Sequence, residues 1–112
     1  MLAIEVIKEV RGILNDRLLP YRWADDDLLG YLGAAQSRIV ERRPDAAMSA
    51  TGAVNLAPAT PESTASTLVL GREWLIALTD AVAGRAFMMD AEHAESVARA
   101  KMHIDQFNAA IT

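Results

Sequence analysis

The sequence predicts an all-α protein, a small four-helix bundle that forms a single domain over residues 1–112. Four segments repeat their apolar residues at steps of three and four, which places these side chains on one side of an α-helix. A chain of 112 residues can bury one core, and it contains no cysteine for disulfides or thiol chemistry. A long loop, at about residues 44–70, divides the four helices into two pairs.

The first helix is predicted over residues Ala3–Leu14. Its apolar side chains fall on one face and most of its charged side chains on the other. Asn15 and Asp16 suit the end of a helix, and Pro20 prevents the helix from continuing. The predicted buried face consists of Ala3, Val6, Ile7, Val10, Ile13 and Leu14.

The second helix is predicted to begin at residues 24–27 and to end before Pro44. Its first turn carries three successive aspartates and its last turn carries arginines, and both arrangements complement the helix dipole. The aspartates do not alternate with the Gly and distal Glu of a calcium-binding loop, so no metal site is expected. Trp23 is predicted to pack against the first turn as a hydrophobic staple. The predicted buried side consists of Leu28, Leu32, Ala35 and Ile39.

Residues 74–111 contain two helical patterns around a break at Asp90 and Ala91. Acidic residues around the break favour the start of another helix, so the sequence predicts an antiparallel helical hairpin. The apolar stripe of the first of these helices is wider than a single two-helix contact needs, which predicts several packing partners. The side chains predicted to face a common interior are Leu78, Val82, Ile104 and Phe107.

The loop between the second and third helices is rich in Ala, Ser, Thr and Pro. A loop of this length is uncommon in a compact domain unless it is functional or disordered. Its apolar residues give it something to bury, so we expect it to be mobile in the free subunit and ordered against another chain. Residues 53–56 have the pattern of a short strand or hairpin, and residues 68–70 are expected to return the chain to the core.

No group of residues has the spacing of a catalytic or metal site, so the sequence predicts neither an enzyme nor a cofactor. His93 and His103 lack the four-residue spacing of a helical zinc pair, and both are expected to be partly exposed. Asp80 is expected to be a solvated charge on a helix surface.

The charge balance bounds the possible partners. The formal net charge is -4, with 15 acidic and 11 basic residues, which argues against a duplex-DNA-binding protein because such a protein needs a concentrated basic face. No apolar run approaches the ~20 residues of a membrane-spanning helix, and Glu5 comes too early for the apolar region of a signal peptide. No membrane partner is predicted.

Several segments, taken in their order along the chain, carry a family resemblance. The opening segments are residues 6–16 (VIKEVRGILND), 22–29 (RWADDDLL), 35–40 (AQSRIV) and 43–46 (RPDA). The closing block contains Trp74, Ala77-Leu78, Asp80-Ala81-Val82, Arg85-Ala86-Phe87, Asp90-Ala91-Glu92, Ala100, His103 and Phe107. Together these segments resemble tailed-bacteriophage head-to-tail adaptor (connector) proteins. Ala24 stands where such proteins have a Ser or Thr helix cap.

The resemblance implies a structural virion protein. Such a subunit would join others in a homo-oligomeric ring, a dodecamer, that binds the portal protein beneath the capsid and meets other tail or neck proteins. DNA would pass through the lumen without specific binding, which suits a net-negative chain because phosphate affinity comes from cations. The protein would lie in the neck of the virion, and in the host cytoplasm during assembly.

Two other functions are weighed against the adaptor. A free-standing helical protein-binding regulator would act as a dimer and use the seam of the helical hairpin as its partner groove. A helix-turn-helix DNA-binding protein is disfavoured because neither the second nor the fourth helix is a basic recognition helix. The candidate subunit or partner interface consists of Tyr21, Arg22, Trp23, Arg38, Arg42, Arg43, Met48, Val54, Leu56, Phe107 and Ile111.

Overall fold

The computed structural model describes residues 1–48, 52–90 and 94–112. The predicted all-α bundle is confirmed, because these residues form four α-helices in a compact arrangement. The helices are α1 (Ala3–Leu14), α2 (Asp25–Arg42), α3 (Leu75–Met89) and α4 (Ala94–Ile111), with short 3-10 turns at Pro44–Ala47 and Arg72–Trp74.

Strand pairing is confined to two isolated antiparallel bridges within the described parts of the chain. One joins Leu2 to Thr67 and the other joins Met48 to Val54. The second bridge lies where residues 53–56 were predicted to form a strand or hairpin, so that prediction is reduced to a single pair of bridging residues. The connection between them, residues 49–51, lies outside the described residues.

The ends of α1 and α2 follow from local sequence. Asn15 adopts the left-handed conformation with φ 54°, and the N–H of Asp16 donates to the carbonyl of Arg11 at 2.9 Å, which closes the C-terminus of α1. Ala24 at the start of α2 makes no side-chain capping bond. The acidic first turn of α2, Asp25 to Asp27, therefore favours this N-terminus by charge.

The third helix is the centre of the bundle, since α3 packs against α1, α2 and α4. This agrees with its wide apolar stripe. Leu78 and Val82 of α3 are fully buried, Phe107 of α4 is 7% exposed, and Ile104 is partly buried against the same core. The predicted common interior of these four side chains is confirmed. Ile13 was predicted to lie on the buried face of α1 but is exposed.

Gly84 lets α3 and α4 approach closely. A Cβ atom added at Gly84 would lie 2.9 Å from Ile104 Cγ1 and 3.3 Å from the backbone nitrogen of the same residue. Gly30 in α2 is the opposite case, because a Cβ atom there would meet nothing within 4 Å. Alanine substitutions at the two positions can therefore distinguish the cost of crowding α4 from the gain that alanine brings as a better helix former.

We expect Gly30→Ala to raise the free energy of unfolding by about 0.5 to 1 kcal/mol, since alanine is the better helix former and the site is open. Gly84→Ala gains the same preference but crowds α4, so its stability should lie about 1 to 3 kcal/mol below that of Gly30→Ala. Urea titration of the two variants measures the difference. Equal gains would mean that α4 moves away from Gly84 without cost.

The second part of the long loop belongs to the bundle. The backbone N–H groups of Ala3 and Ile4 donate to the carbonyls of Ser66 and Thr64, each at 2.8 Å. Two of the amides that the start of α1 leaves free are thereby satisfied by the loop. The chain returns to the core at Leu68 and Leu70, as predicted, and both side chains are buried.

Residues between this return and the bridge also contact the core. Pro58 and Pro61 are buried, and the Thr60 side chain lies so close to Gly33 that a Cβ atom on the glycine would be 2.6 Å from Thr60 Oγ1. The expectation that the whole loop needs another chain to bury its apolar groups is therefore too broad. The longest run of exposed residues that the structure describes in this loop is residues 52–57.

Candidate interaction site

The Asp80 and His103 side chains were predicted to be ordinary surface groups, and this prediction is wrong. Both are buried, and His103 Nδ1–H donates to Asp80 Oδ1 at 2.8 Å. The imidazole ring also stacks on Phe87, with 5.8 Å between ring centroids. The pair links α3 to α4 inside the bundle. His93 lies outside the described residues.

The described residues contain no group of three or more His, Cys, Asp or Glu side chains placed to hold a metal ion. Within the same residues, no helix is long and apolar enough to cross a membrane.

A buried ion network lies where α1 ends and α2 begins. Arg11 is 5% exposed, and its guanidinium donates to Asp16 Oδ2 at 2.7 Å and to Asp25 Oδ1 at 2.5 Å. It also donates to the carbonyl oxygen of Trp23 at 3.0 Å and lies over the ring of Tyr21, 3.7 Å from the centroid. One cation thus ties together both ends of the connecting segment.

The carboxylate of Asp16 closes this segment into a loop. Asp16 Oδ1 accepts a hydrogen bond from the backbone N–H of Arg22 at 2.8 Å, and Oδ2 accepts one from the N–H of Trp23 at 3.1 Å. Asp16 is itself buried and paired with Arg11, so these bonds form in a setting where an unpaired charge would be costly. The network fixes the base of the loop and leaves residues 17–20 outside it.

A second contact joins the same loop to the α3–α4 corner. The Arg22 guanidinium donates to the Asp90 carboxylate, and Ser96 Oγ donates to Asp90 Oδ2 at 2.9 Å. Arg22 also lies over the ring of Trp23, 4.6 Å from the centroid. The loop is therefore held from two sides.

We call residues 17–20 the leucine tip. Leu18 is 84% exposed and Leu19 is 78% exposed, although the loop that carries them is held by buried polar groups. Exposed apolar side chains on a fixed loop are suited to binding, because little conformational freedom remains to be lost when a partner arrives. Leu18 and Leu19 were not among the interface residues predicted from the sequence. One feature of the sequence could have indicated them: two adjacent leucines lie between the end of the first helix and Pro20, where they belong to no apolar helix face.

The predicted interface residues differ in how exposed they are. Tyr21 and Arg22 are exposed and Trp23 is half-buried, and all three lie in the loop that Asp16 closes. Trp23 also packs against the core. Arg43 lies 3.5 Å from Asp45 and over the ring of Trp74. The exposed candidates further along the chain are Arg38, Arg42, Met48, Val54 and Leu56.

Two candidates are not surface groups of this chain. Phe107 is 7% exposed and Ile111 is 3% exposed, and both belong to the hydrophobic core. Their assignment to a partner interface is corrected, since the α4 seam that carries them faces α3. Phe107 also contributes to the lining of a surface groove.

That groove lies between α2, α3 and α4 and has a volume of about 470 Å³. Its lining is mostly alanine and other apolar side chains, and it includes Tyr31 and two arginines, Arg38 and Arg85. Its lining residues are Gly30, Tyr31, Ala34, Ala35, Arg38, Ala81, Arg85, Met88, Ile104 and Phe107. We refer to it as the α2–α3–α4 groove. It is an apolar depression with two arginines in its lining.

Comparison with protein families, with curated proteins and with solved structures finds no match to this chain.

Proposed function

We propose that this protein is a head-to-tail adaptor of a tailed-bacteriophage virion, a subunit of a ring that binds beneath the portal and joins the capsid to the tail. The observation that carries the proposal is the ordered resemblance of the opening and closing segments to such adaptors, which together cover most of the chain outside residues 47–67. A small helical subunit can build such a ring by repeating one heterologous contact until the rotation closes.

The surface of the subunit supports a role in assembly. Within the described part of the chain, the most exposed large apolar side chains lie in three separate places, namely the leucine tip, Leu56 in the long loop and Ile76 at the start of α3. Leu56 is 70% exposed and Ile76 is 78% exposed. A ring subunit needs at least two contact surfaces for its neighbours and a further one for the portal or tail, so several apolar areas suit this role.

The second candidate is a helical protein-binding regulator that acts as a dimer. The α2–α3–α4 groove favours it, because an apolar groove between helices can accept the apolar face of a partner helix. The two proposals differ in what the chain does when portal protein is present. Mass measurement of the purified chain, with and without portal protein, separates them.

A portal-bound ring in that measurement supports the adaptor. A stable dimer that is indifferent to the portal, from a chain that is missing from purified virions, would support the regulator.

The long loop gives a separate test of assembly. Its exposed residues 52–57 include Val54 and Leu56, and we expect their amides to exchange quickly in the free subunit and more slowly in the ring. Residues 58–61, which contain two buried prolines, should change less. Hydrogen exchange followed by mass spectrometry reads both segments in one experiment. Unchanged exchange at residues 52–57 after assembly would make this segment a passive connector.

A further inference from the structure

We propose that a pocket between the start of α3 and the end of α4 binds an arginine side chain of a partner protein. The pocket has a volume of about 720 Å³, and it is lined by Glu73, Trp74, Ile76, Asp80 and Gln106 together with three alanines. We refer to it as the α3–α4 pocket. Its hydrogen-bond acceptors, its aromatic ring and its charge favour a guanidinium group.

Asp80 supplies a buried carboxylate to this pocket. The residue is 8% exposed, and its Oδ1 accepts the hydrogen bond from His103 Nδ1. Within the described residues Oδ2 has no hydrogen-bond partner, and these residues contain no buried side-chain oxygen or nitrogen that lacks one. Oδ2 therefore reaches the surface, where Asp80 lines the pocket. A carboxylate that is mostly withdrawn from water gains from a cation that donates to its open oxygen.

Glu73, Gln106 and Trp74 complete the polar and aromatic lining. Glu73 and Gln106 are exposed, and neither side chain makes a hydrogen bond or ion pair within the described part of the chain. Trp74 is half-buried and contributes an aromatic ring. A guanidinium carries its N–H donors in a planar fork and stacks on aromatic faces, whereas an ammonium is a compact point charge. Several acceptors beside an aromatic ring therefore favour arginine over lysine.

The chain itself holds a guanidinium in the same way at another place. Arg11 lies over the ring of Tyr21, 3.7 Å from the centroid, and it donates to two carboxylates and one carbonyl oxygen. The α3–α4 pocket offers an equivalent set of groups. They are the Trp74 ring, the carboxylates of Asp80 and Glu73, and the amide oxygen of Gln106.

The charge of the pocket favours a cation from another molecule. Two carboxylates line it, and none of its described lining residues is a lysine or arginine. The neighbouring arginines have other partners, since Arg72 pairs with Glu5 at 2.6 Å and Arg43 lies 3.5 Å from Asp45. Arg43 is also 5.8 Å from the Trp74 ring centroid, near the ~6 Å limit of a cation–π contact, and it does not line the pocket.

The surroundings of the pocket suit a side chain that another protein presents. Ile76 is 78% exposed, and Ala109 and Ala110 are exposed as well. A partner segment that places its arginine at Asp80 would also cover this apolar surface, which a small cation would leave in water. The start of α3 and the end of α4 meet here, and their opposite dipole charges offset each other, so the side chains set the charge preference.

An NMR titration with a single capped residue tests this site. The probe is N-acetyl-arginine amide, and its control is N-acetyl-citrulline amide, which has the same shape without the charge. We expect the Trp74 indole N–H signal to shift until the site is saturated, and citrulline to bind at least about tenfold more weakly because its hydrogen bonds are not charge-assisted. The indole signal of Trp23, which does not line the pocket, should stay in place.

Substitutions in the pocket should weaken arginine binding. Asp80→Asn removes the buried charge and should lower the affinity about tenfold, and Glu73→Gln should lower it several-fold. Glu73→Gln leaves the Asp80–His103 pair intact, so it tests the pocket even if Asp80→Asn disturbs the fold. The matched control is Asp105→Asn, which removes one charge from exposed α4 surface outside the pocket and should change the affinity less than about twofold.

Four results would overturn the proposal. They are arginine binding no tighter than citrulline, equal binding of N-acetyl-lysine amide, a Trp23 shift as large as that of Trp74, and an affinity that Glu73→Gln does not lower. Free arginine that binds more tightly than the capped residue would mark a small-molecule site, and it would overturn the assignment to a protein partner. The adaptor proposal is tested separately, by ring formation on the portal.

Discussion

Arg11→Ala is expected to lower the free energy of unfolding by about 3 to 5 kcal/mol, the cost of breaking a buried ion pair from one side. Arg11 is 5% exposed and makes its bonds to Asp16, Asp25 and the Trp23 carbonyl at once. Without the guanidinium, the buried carboxylate of Asp16 keeps its bonds to backbone N–H groups but loses its counter-charge. The loop that carries the leucine tip should loosen as well.

Lys101→Ala is the matched control for this substitution. Lys101 Nζ donates to Asp105 at 2.8 Å, but both side chains are mostly exposed, so water already screens the pair. Its removal should leave stability almost unchanged. Urea titrations of the two variants test the contrast, and equal small losses would mean that the Arg11 network does not hold the bundle together.

Phe107→Ala should cost about 3 to 5 kcal/mol, because it removes a large buried side chain and leaves a cavity that the bundle refills only in part. Phe107 packs in the same core as the fully buried Leu78 and Val82 of α3. The substitution therefore weakens the contact between the two helices of the hairpin.

Met102→Ala on the same helix is the control for Phe107. Met102 is 48% exposed, so its truncation should cost well under 1 kcal/mol, as surface substitutions usually do. Both variants can be unfolded in urea under two-state conditions. A loss below about 1 kcal/mol for Phe107→Ala would place this side chain outside the core.

Apolar periodicity and end signals were sufficient to predict the helices. α1 begins and ends as predicted, since Asn15 and Asp16 close it in the manner that their residue types suggest. The break at Asp90 separates α3 from α4, and the wide stripe of α3 agrees with its contacts to all three other helices. These features depend on residues that are close in sequence.

Contacts between distant residues explain the errors. Asp80 was predicted to be a solvated charge and His103 a partly exposed residue, but α3 and α4 bring them together and bury them as a hydrogen-bonded pair. At the end of α1, Arg11 is buried with its partner Asp16 while Ile13 is exposed, the reverse of what their polarity suggests. Periodicity alone cannot show which charged group will find a buried partner.

The candidate site was harder to predict than the fold. The segment before α2 was identified from Tyr21, Arg22 and Trp23, but its most exposed apolar side chains are Leu18 and Leu19, which were not predicted. Which leucines remain exposed depends on the Asp16 bonds that close the loop, and these join residues six and seven positions apart. No repeating pattern signals such bonds.

Electron microscopy of the purified protein, alone and mixed with the portal protein of its phage, tests the adaptor proposal most directly. For an adaptor we expect a closed ring of this chain seated on the portal, with its opening aligned with the portal channel so that DNA can pass. Portal particles that look the same with and without the protein would contradict it.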